Sequence, residues 1–432
     1  MESIEIKGFL TIDYAHFEIK KINILIGAQA QGKSVIAKLV YFFKNFFSDV
    51  FIPSIEKFET KREIDKKCLT EFEQVFPRYS WVNQEFSILY KYEDYELSVI
   101  RNKVGNKYTL KFDYCKCLAD FHKKLKTCYK LALSDFDTAL EQENGKKVLK
   151  RDRVFYEAII SEKIHDSIFS NVFRKPVFIP ASRSFFANLQ KNIFSFLASN
   201  IDIDPFIKEF GSRYEQSKRF HQIGIHRGGD SEEVIRKKVD KLVSDIVVGE
   251  YVYADDQDWI SNNGKKTNLA NASSGQQESL PMLLILKIWP FIYGKERSST
   301  FFIEEPEAHL FPTSQKQIIS LIATIYNTFG HSFFITTHSP YILTAINNLV
   351  AGKDAYDKAN GDIEKLNRLE KVFAFDELIS LEDVSAYTLN KGKLESIIDI
   401  ENRLIGANLL DSVSDDFEAA FSVAIDILYG DD

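Results

Sequence analysis

Eight consecutive residues, Gly27-Ala28-Gln29-Ala30-Gln31-Gly32-Lys33-Ser34, have the types and spacing of a phosphate cradle. The pattern G-x-x-x-x-G-K-[ST] lets backbone amides converge on phosphate oxygens, with a helix N-terminus adding its positive dipole end. Lys33 then reaches the β and γ phosphates of a nucleotide, and the Ser34 hydroxyl is a ligand for Mg²⁺.

A second acidic group lies far along the chain. Phe301-Phe302-Ile303-Glu304-Glu305-Pro306-Glu307 is an apolar run that ends in two adjacent carboxylates. A buried strand ending this way opens onto the carboxyl edge of a sheet, where ligands sit in α/β folds. There Glu304 can hold Mg²⁺, directly or through water, while Glu305 orients and deprotonates an attacking water. An acidic helix start is the plainer alternative, since Glu307 follows.

Three further features are candidates. Ala272-Ser273-Ser274-Gly275-Gln276 precedes an apolar helical run, so its small residues can present free amides to an anion, or can simply cap the helix. His338 follows the strand-like Ser332-Phe333-Phe334-Ile335-Thr336, a place where a lone histidine is usually structural. Arg183, in Pro180-Ala181-Ser182-Arg183, follows another apolar run; it can stabilise developing phosphate charge or bridge groups at the surface.

The elements that must position these groups are readable in outline. INILI is a buried strand directly before the phosphate loop, and SVIAKLVYFFKNFF has helical spacing directly after it. FSILYKY, YELSVIRNK and KYTLKFDY alternate as an antiparallel meander over residues 86–115. Charged helical stretches occupy 45–85, 116–171 and 184–248. Residues 345–432 hold a hairpin, SAYTLNKGKLESIID, and an end helix, DDFEAAFSVAIDIL. Strands alternating with helices imply an α/β core with a largely parallel sheet, so the whole of 1–432 is expected to be one split domain with helical insertions.

Composition bounds the rest. The chain has 432 residues, 45% of them hydrophobic, and a formal charge of −7, which excludes a polycation built to coat nucleic acid. Basic clusters at Lys123-Lys124-Lys126, at Lys146 to Arg153 and at Lys237-Lys238-Lys241 are solvated helix faces or a nucleic-acid track. No apolar run spans a membrane and no signal peptide opens the chain, so a cytoplasmic protein without membrane contact is expected. Cys68, Cys115, Cys117 and Cys128 form no C-x-x-C pair and are expected to be reduced thiols.

The order GAQAQGKS, ASSGQ, FFIEEPE, TTHS resembles the ABC-type ATPases, in the branch of Rad50, SMC, RecF and the OLD-type proteins. The resemblance covers the first 45 or so residues and residues 268–343. It implies an ABC-type P-loop NTPase core with an antiparallel β-subdomain, ATP and Mg²⁺ as ligands, and ATP hydrolysis. By the same resemblance Ser273 and Gly275 contact the γ-phosphate of ATP bound to a second copy, with Ser274 and Gln276 completing the signature, and His338 is the switch histidine. Two chains then close head to tail around ATP. Ala28-Gln29-Ala30 stands where the family commonly has Pro-Asn-Gly, and Ser274 stands where it usually has glycine. The glutamine loop that senses Mg²⁺ in the family has no clear place. No TOPRIM-like acidic motif follows Leu343, and the insertions lack sustained heptads or a zinc hook. The chain is therefore similar to nuclease-free ATPase subunits of bacterial anti-phage systems, such as PtuA of Septu and AriA of PARIS, with a separate effector, a nuclease or toxin, as partner. A RecF-like DNA-repair ATPase acting on DNA, and an ATP-binding scaffold with little turnover, are the alternatives.

Overall fold

The computed structural model describes residues 2–142, 175–187, 203–224, 230–295 and 298–406. β1 (Glu2–Phe9) and β2 (Ile12–Ile19) form a hairpin, and β3 (Ile22–Ile26) follows, buried along its whole length. Ile22, Ile24 and Ile26 face one apolar cluster and Leu25 faces another, which is why the strand reads as a continuous apolar run. Asn23 is the polar exception. Its side chain donates to the carbonyls of Lys20 and Phe333 and accepts from Lys20 N and Ser385 Oγ, so its burial is satisfied.

α1 (Lys33–Asn45) leaves the phosphate loop and runs on through a π-helical turn, Phe46–Phe51, into α2 (Ile52–Glu56). α3 (Lys61–Val75) begins on a capping box of Thr60 and Glu63. The meander is β4 (Phe86–Tyr92), β5 (Tyr95–Val104) and β6 (Lys107–Tyr114), after which α4 (Lys116–Gln142) departs. β7 (Val177–Ile179), α5 (Pro205–Ile223) and α6 (Asp230–Val247) come next. A small antiparallel sheet of β8 (Glu250–Ala254), β9 (Gln257–Asn262) and β10 (Lys265–Asn268) leads into α7 (Ser274–Tyr293). The chain then alternates β11 (Thr300–Glu304), α8 (Pro312–Phe329), β12 (Ser332–Thr337), α9 (Pro340–Ala359) and α10 (Ile363–Glu370). β13 (Val384–Asn390) and β14 (Lys393–Ser396) form the second hairpin.

Eleven strands make one sheet, in the order β6-β5-β4-β1-β2-β14-β13-β3-β12-β11-β7. From β13 to β7 every pairing is parallel, and from β6 to β2 every pairing is antiparallel. The fold is therefore α/β, with the antiparallel meander fused to the parallel core rather than separate from it. α5 to α9 cover one face, and α1 to α4 cover the other. On the α1 face Phe178, Phe302 and Phe334 stack across the adjacent strands β7, β11 and β12, with ring centroids 6.0 and 5.3 Å apart in turn, and Phe334 also meets Phe17 of the non-adjacent β2 at 5.2 Å. Such offset pairs add to the apolar burial that holds adjacent strands in register.

Among the described residues no helix is long and apolar enough to cross a membrane. The Cys115 and Cys117 sulfurs meet where β6 passes into α4, while Cys68 and Cys128 are free. The basic stretch Lys146 to Arg153, much of the two long insertions and the end helix lie outside the described residues.

Candidate functional site

The phosphate loop takes the shape that its glycines and one alanine allow. Gly27 and Gly32 have φ of 148° and 103°, and Ala30 is left-handed at 59°. Ala30 carries the left-handed strain that a glycine would avoid. Gly32 is the N-cap of α1, so the helix dipole points at the loop mouth. Ala28, Gln29, Ala30 and Ser34 are exposed, and the Gln31 carbonyl accepts from Thr11 Oγ1 of the β1–β2 turn at 3.4 Å. A cavity of about 620 Å³ opens beside Gly27 and Ala28, walled by Thr388, Leu389, Glu395 and Asp399.

Lys33 folds back across the loop. Its Nζ donates to Gly27 O at 2.6 Å and Ala28 O at 2.7 Å, and lies 3.3 Å from His338 Nδ1. With the ammonium as donor, Nδ1 accepts; the ring proton then sits on Nε2, which lies 3.2 Å from Glu305 Oε1. Lys33, His338 and Glu305 thus form one chain across the ends of β3, β12 and β11. Burial holds the Lys33 ammonium below the usual lysine range, against the opposing pull of Glu305 and Glu307.

The two adjacent carboxylates point to different places. Glu304, at the end of β11, is buried; its Oε2 accepts from Ala181 N, while Oε1 is buried without a hydrogen-bond partner. Glu305 sits past the strand end with φ of 46°, its N–H bonded to Thr336 O, and its side chain is 40% exposed. An orphaned carboxylate oxygen beside a phosphate cradle suits a hard divalent cation. Among the described residues no three acidic, imidazole or thiol groups converge on one metal-sized point. Mg²⁺ takes one or two side chains and fills the rest of its shell with phosphate and water oxygens. Glu304 offers the unpartnered oxygen such an ion would need, and Ser34 is exposed in the first turn of α1.

Arg183 is a correction. It is 0% exposed, and its guanidinium donates to the carbonyls of Pro180, Glu278, Glu304 and Glu305. Its own N–H and the Ser184 hydroxyl bond the Glu278 carboxylate. Neither a phosphate-facing nor a surface arginine describes this: Arg183 clamps the backbone on which both carboxylates ride. Burial lowers its pKa, opposed first by Glu278 and then by the carboxylates of the acidic turn.

The signature segment stands on the other side of the acidic turn. Ser273 caps α7 in a capping box with Gln276, and Gln276 Nε2 also donates to Val247 O. Ser273 and Ser274 are exposed. A Cβ on Gly275 would lie 2.7 Å from His309 O, so only glycine lets the signature pack on the turn after Glu305.

Glu307, Thr337 and Glu278 belong to the site as well and carry no sequence assignment. The signal for Glu307 was its place two residues beyond an acidic pair, which also suits a helix start. Of the remaining basic clusters, Lys123 pairs with Asp120, Lys126 donates to the carbonyls of Phe58 and Glu59, Lys237 pairs with Glu233, and Lys238 pairs with Asp376 and Glu377.

A family profile described as AAA ATPase domain matches residues 1–343, which include the loop, the signature, the acidic turn and His338. The chain belongs to the AAA ATPase domain family. No curated protein matches this AAA ATPase significantly. Solved structures similar to it are heads of SMC proteins. The Pyrococcus furiosus Smc head with an extended coiled coil, bound to the C-terminal domain of ScpA, is 11% identical, covers 96% of this chain and 100% of its own, and has a TM-score of 0.36. The Thermotoga maritima SMC head domain is 10% identical, with coverages of 91% and 97% and a TM-score of 0.34. The Pyrococcus yayanosii Smc head with a coiled coil and joint is 11% identical, with coverages of 96% and 100% and a TM-score of 0.40. Identities and scores this low support no transfer of role or partner to this AAA ATPase.

Proposed function

We propose that this AAA ATPase hydrolyses Mg²⁺·ATP at Lys33, Glu305 and His338, and that two copies close around the nucleotide. The observation that carries this reading is the contact chain Lys33–His338–Glu305, which links a phosphate-loop cation to a half-exposed carboxylate through one imidazole. Loop amides and the N-terminus of α1 bind the phosphates, and Lys33 exchanges its two loop carbonyls for phosphate oxygens. Glu305 accepts a proton from the attacking water, and His338 Nε2 holds that carboxylate in place until nucleotide arrives. Mg²⁺, held by Ser34 and Glu304, supplies charge neutralisation on the phosphates. Exposed Ser273 and Ser274 at the start of a long helix serve the partner's nucleotide, which makes a head-to-tail pair the working unit.

The test is Glu305→Gln in the full chain. Turnover of ATP should fall by about 100- to 10,000-fold while ATP binding persists, and the ATP-bound dimer should accumulate. Full turnover in that variant would overturn the base assignment, and a monomer that ignores ATP would overturn the sandwich.

We infer that this cycle is a nucleotide-driven switch controlling a separate effector, the role suggested by the sequence's resemblance to anti-phage ATPase subunits. Lys126 and Lys238 are held by the protein's own carbonyls and carboxylates, which supports that reading over a DNA-tracking surface. Co-purification from the native host, followed by measurement of partner activity with and without ATP, decides between them.

A further inference from the structure

Glu307 is an acidic residue of the site without a task in the hydrolytic scheme, and its contacts are unusual. One oxygen, Oε1, accepts two hydrogen bonds: from Thr337 Oγ1 at 2.7 Å and from the backbone N–H of His338 at 2.7 Å. Thr337 Oγ1 in turn accepts from Ser339 N at 2.9 Å, and Ser339 Oγ donates to Gln315 Oε1 at 2.6 Å. Backbone on both sides of the histidine is thus pinned, and all of the pinning converges on the acidic turn and α8. The second oxygen of Glu307 is buried without a hydrogen-bond partner. A half-buried carboxylate that keeps one oxygen away from solvent while the other takes two hydrogen bonds calls for an explanation.

We infer that Glu307 is a positioning residue that sets the His338 imidazole between Lys33 and Glu305 and couples the histidine to the acidic turn. The geometry requires such a device. His338 lies beyond the end of β12, where strand pairing no longer fixes the backbone, because the last β12 residue in register with β3 is Thr337. Its ring must meet Lys33 Nζ on one nitrogen and Glu305 Oε1 on the other, and a displacement of about 1 Å breaks one of the two. The Glu307 carboxylate grips the histidine N–H from the same short turn that carries Glu305, so base and sensor move as one body. The turn reaches further still: Gly275 packs on His309 O, two residues beyond Glu307. A shift of His338 on phosphate binding is therefore passed through Glu307 to the segment against which the signature loop rests.

The inference rests on the proposed hydrolysis, and a double-mutant cycle separates the two. ATP turnover and binding of a fluorescent non-hydrolysable ATP analogue are measured for the full chain, Glu307→Ala, His338→Ala and the double variant. Glu307→Ala should lower kcat by about 100-fold with KM little changed, since the loss is one of placement. In the His338→Ala background the same substitution should cost less than about 3-fold, because nothing remains to be positioned. Glu307→Gln, whose amide oxygen can accept both bonds, should recover most of the rate. Additive losses would overturn the inference, as would a Gln variant as poor as Ala. If Glu307→Ala does not fold, Thr337→Val enters the cycle in its place and is read by the same criteria. A wild-type chain without ATP turnover would instead defeat the hydrolytic reading itself.

Discussion

Lys33 Nζ lies 3.3 Å from His338 Nδ1, although the two residues are separated by most of the chain. The contact exists because β3 and β12 are adjacent and parallel, with Ile26 opposite Thr337, so the segments leaving both strands emerge at one edge. Lys33→Met keeps the side-chain length and removes the cation. ATP hydrolysis should fall by at least about 100-fold, and the rise in melting temperature produced by Mg²⁺·ATP should vanish. An undiminished ATP-induced shift would show that the loop does not hold the phosphates through Lys33.

Arg183→Met tests the clamp beneath the carboxylates. The substitution strands four backbone carbonyls and leaves Glu278 buried without its cation. Removing one member of such a buried network costs about 3–5 kcal/mol, which urea unfolding can resolve. A loss below about 1 kcal/mol would mean that the arginine is dispensable to the strand end.

Ala30→Gly tests strain in the phosphate loop. Left-handed backbone at a non-glycine residue costs about 1 kcal/mol or more, and Ala30 is exposed with little packing to lose. The glycine variant should be more stable by up to about 1 kcal/mol, read from thermal or urea unfolding. A clear destabilisation would show that the alanine conformation is not strained in solution.

Much of this site was readable in advance, and the exceptions share a cause. INILI matches β3, and the helix placed after the loop matches α1, because both depend on local periodicity and on turn chemistry within a few residues. The meander of β4 to β6 was similarly plain from alternation and Gly105. Arg183 was not: three of its four carbonyl acceptors, those of Glu278, Glu304 and Glu305, lie far away in sequence, and no local pattern encodes that convergence. β8 to β10 carry no such local signal, because short strands such as Lys265–Asn268 are polar and expose most of their side chains. The hairpin of β13 and β14 was foreseen, but not its place between β2 and β3, since pairing partners of a strand are set by tertiary packing.

His122 supplies a pH signature away from the site. It is buried, its Nε2 lies 2.8 Å from Ser54 Oγ, and the Ser54 hydroxyl donates to Phe51 O, so the neutral imidazole is the donor to Ser54. Burial, reinforced by Lys126 and opposed by Glu59, pushes the histidine down to about 4 from its ordinary 6.5. Above pH 6.5 the group is neutral in both folded and unfolded chains and its full contribution is present. As pH falls from 6.5 towards about 4 the unfolded chain takes up the proton first, so stability declines across that window. His122→Gln should flatten part of this decline in melting temperature; an unchanged slope would place its cause elsewhere.

The insertion of β13 and β14 between β2 and β3 has a consequence for how the protein is made. While the ribosome is still synthesising residues before 384, the strand that carries the phosphate loop has no neighbour on one side, and β2 has an open edge. The nucleotide-binding half of the molecule emerges first yet cannot seal its sheet until the later hairpin arrives. Open edges of this kind invite pairing with other chains, and contacts between residues so distant in sequence form slowly. A nascent chain halted before Val384 is thus a natural client for chaperones, and early termination should yield aggregates rather than a smaller working ATPase.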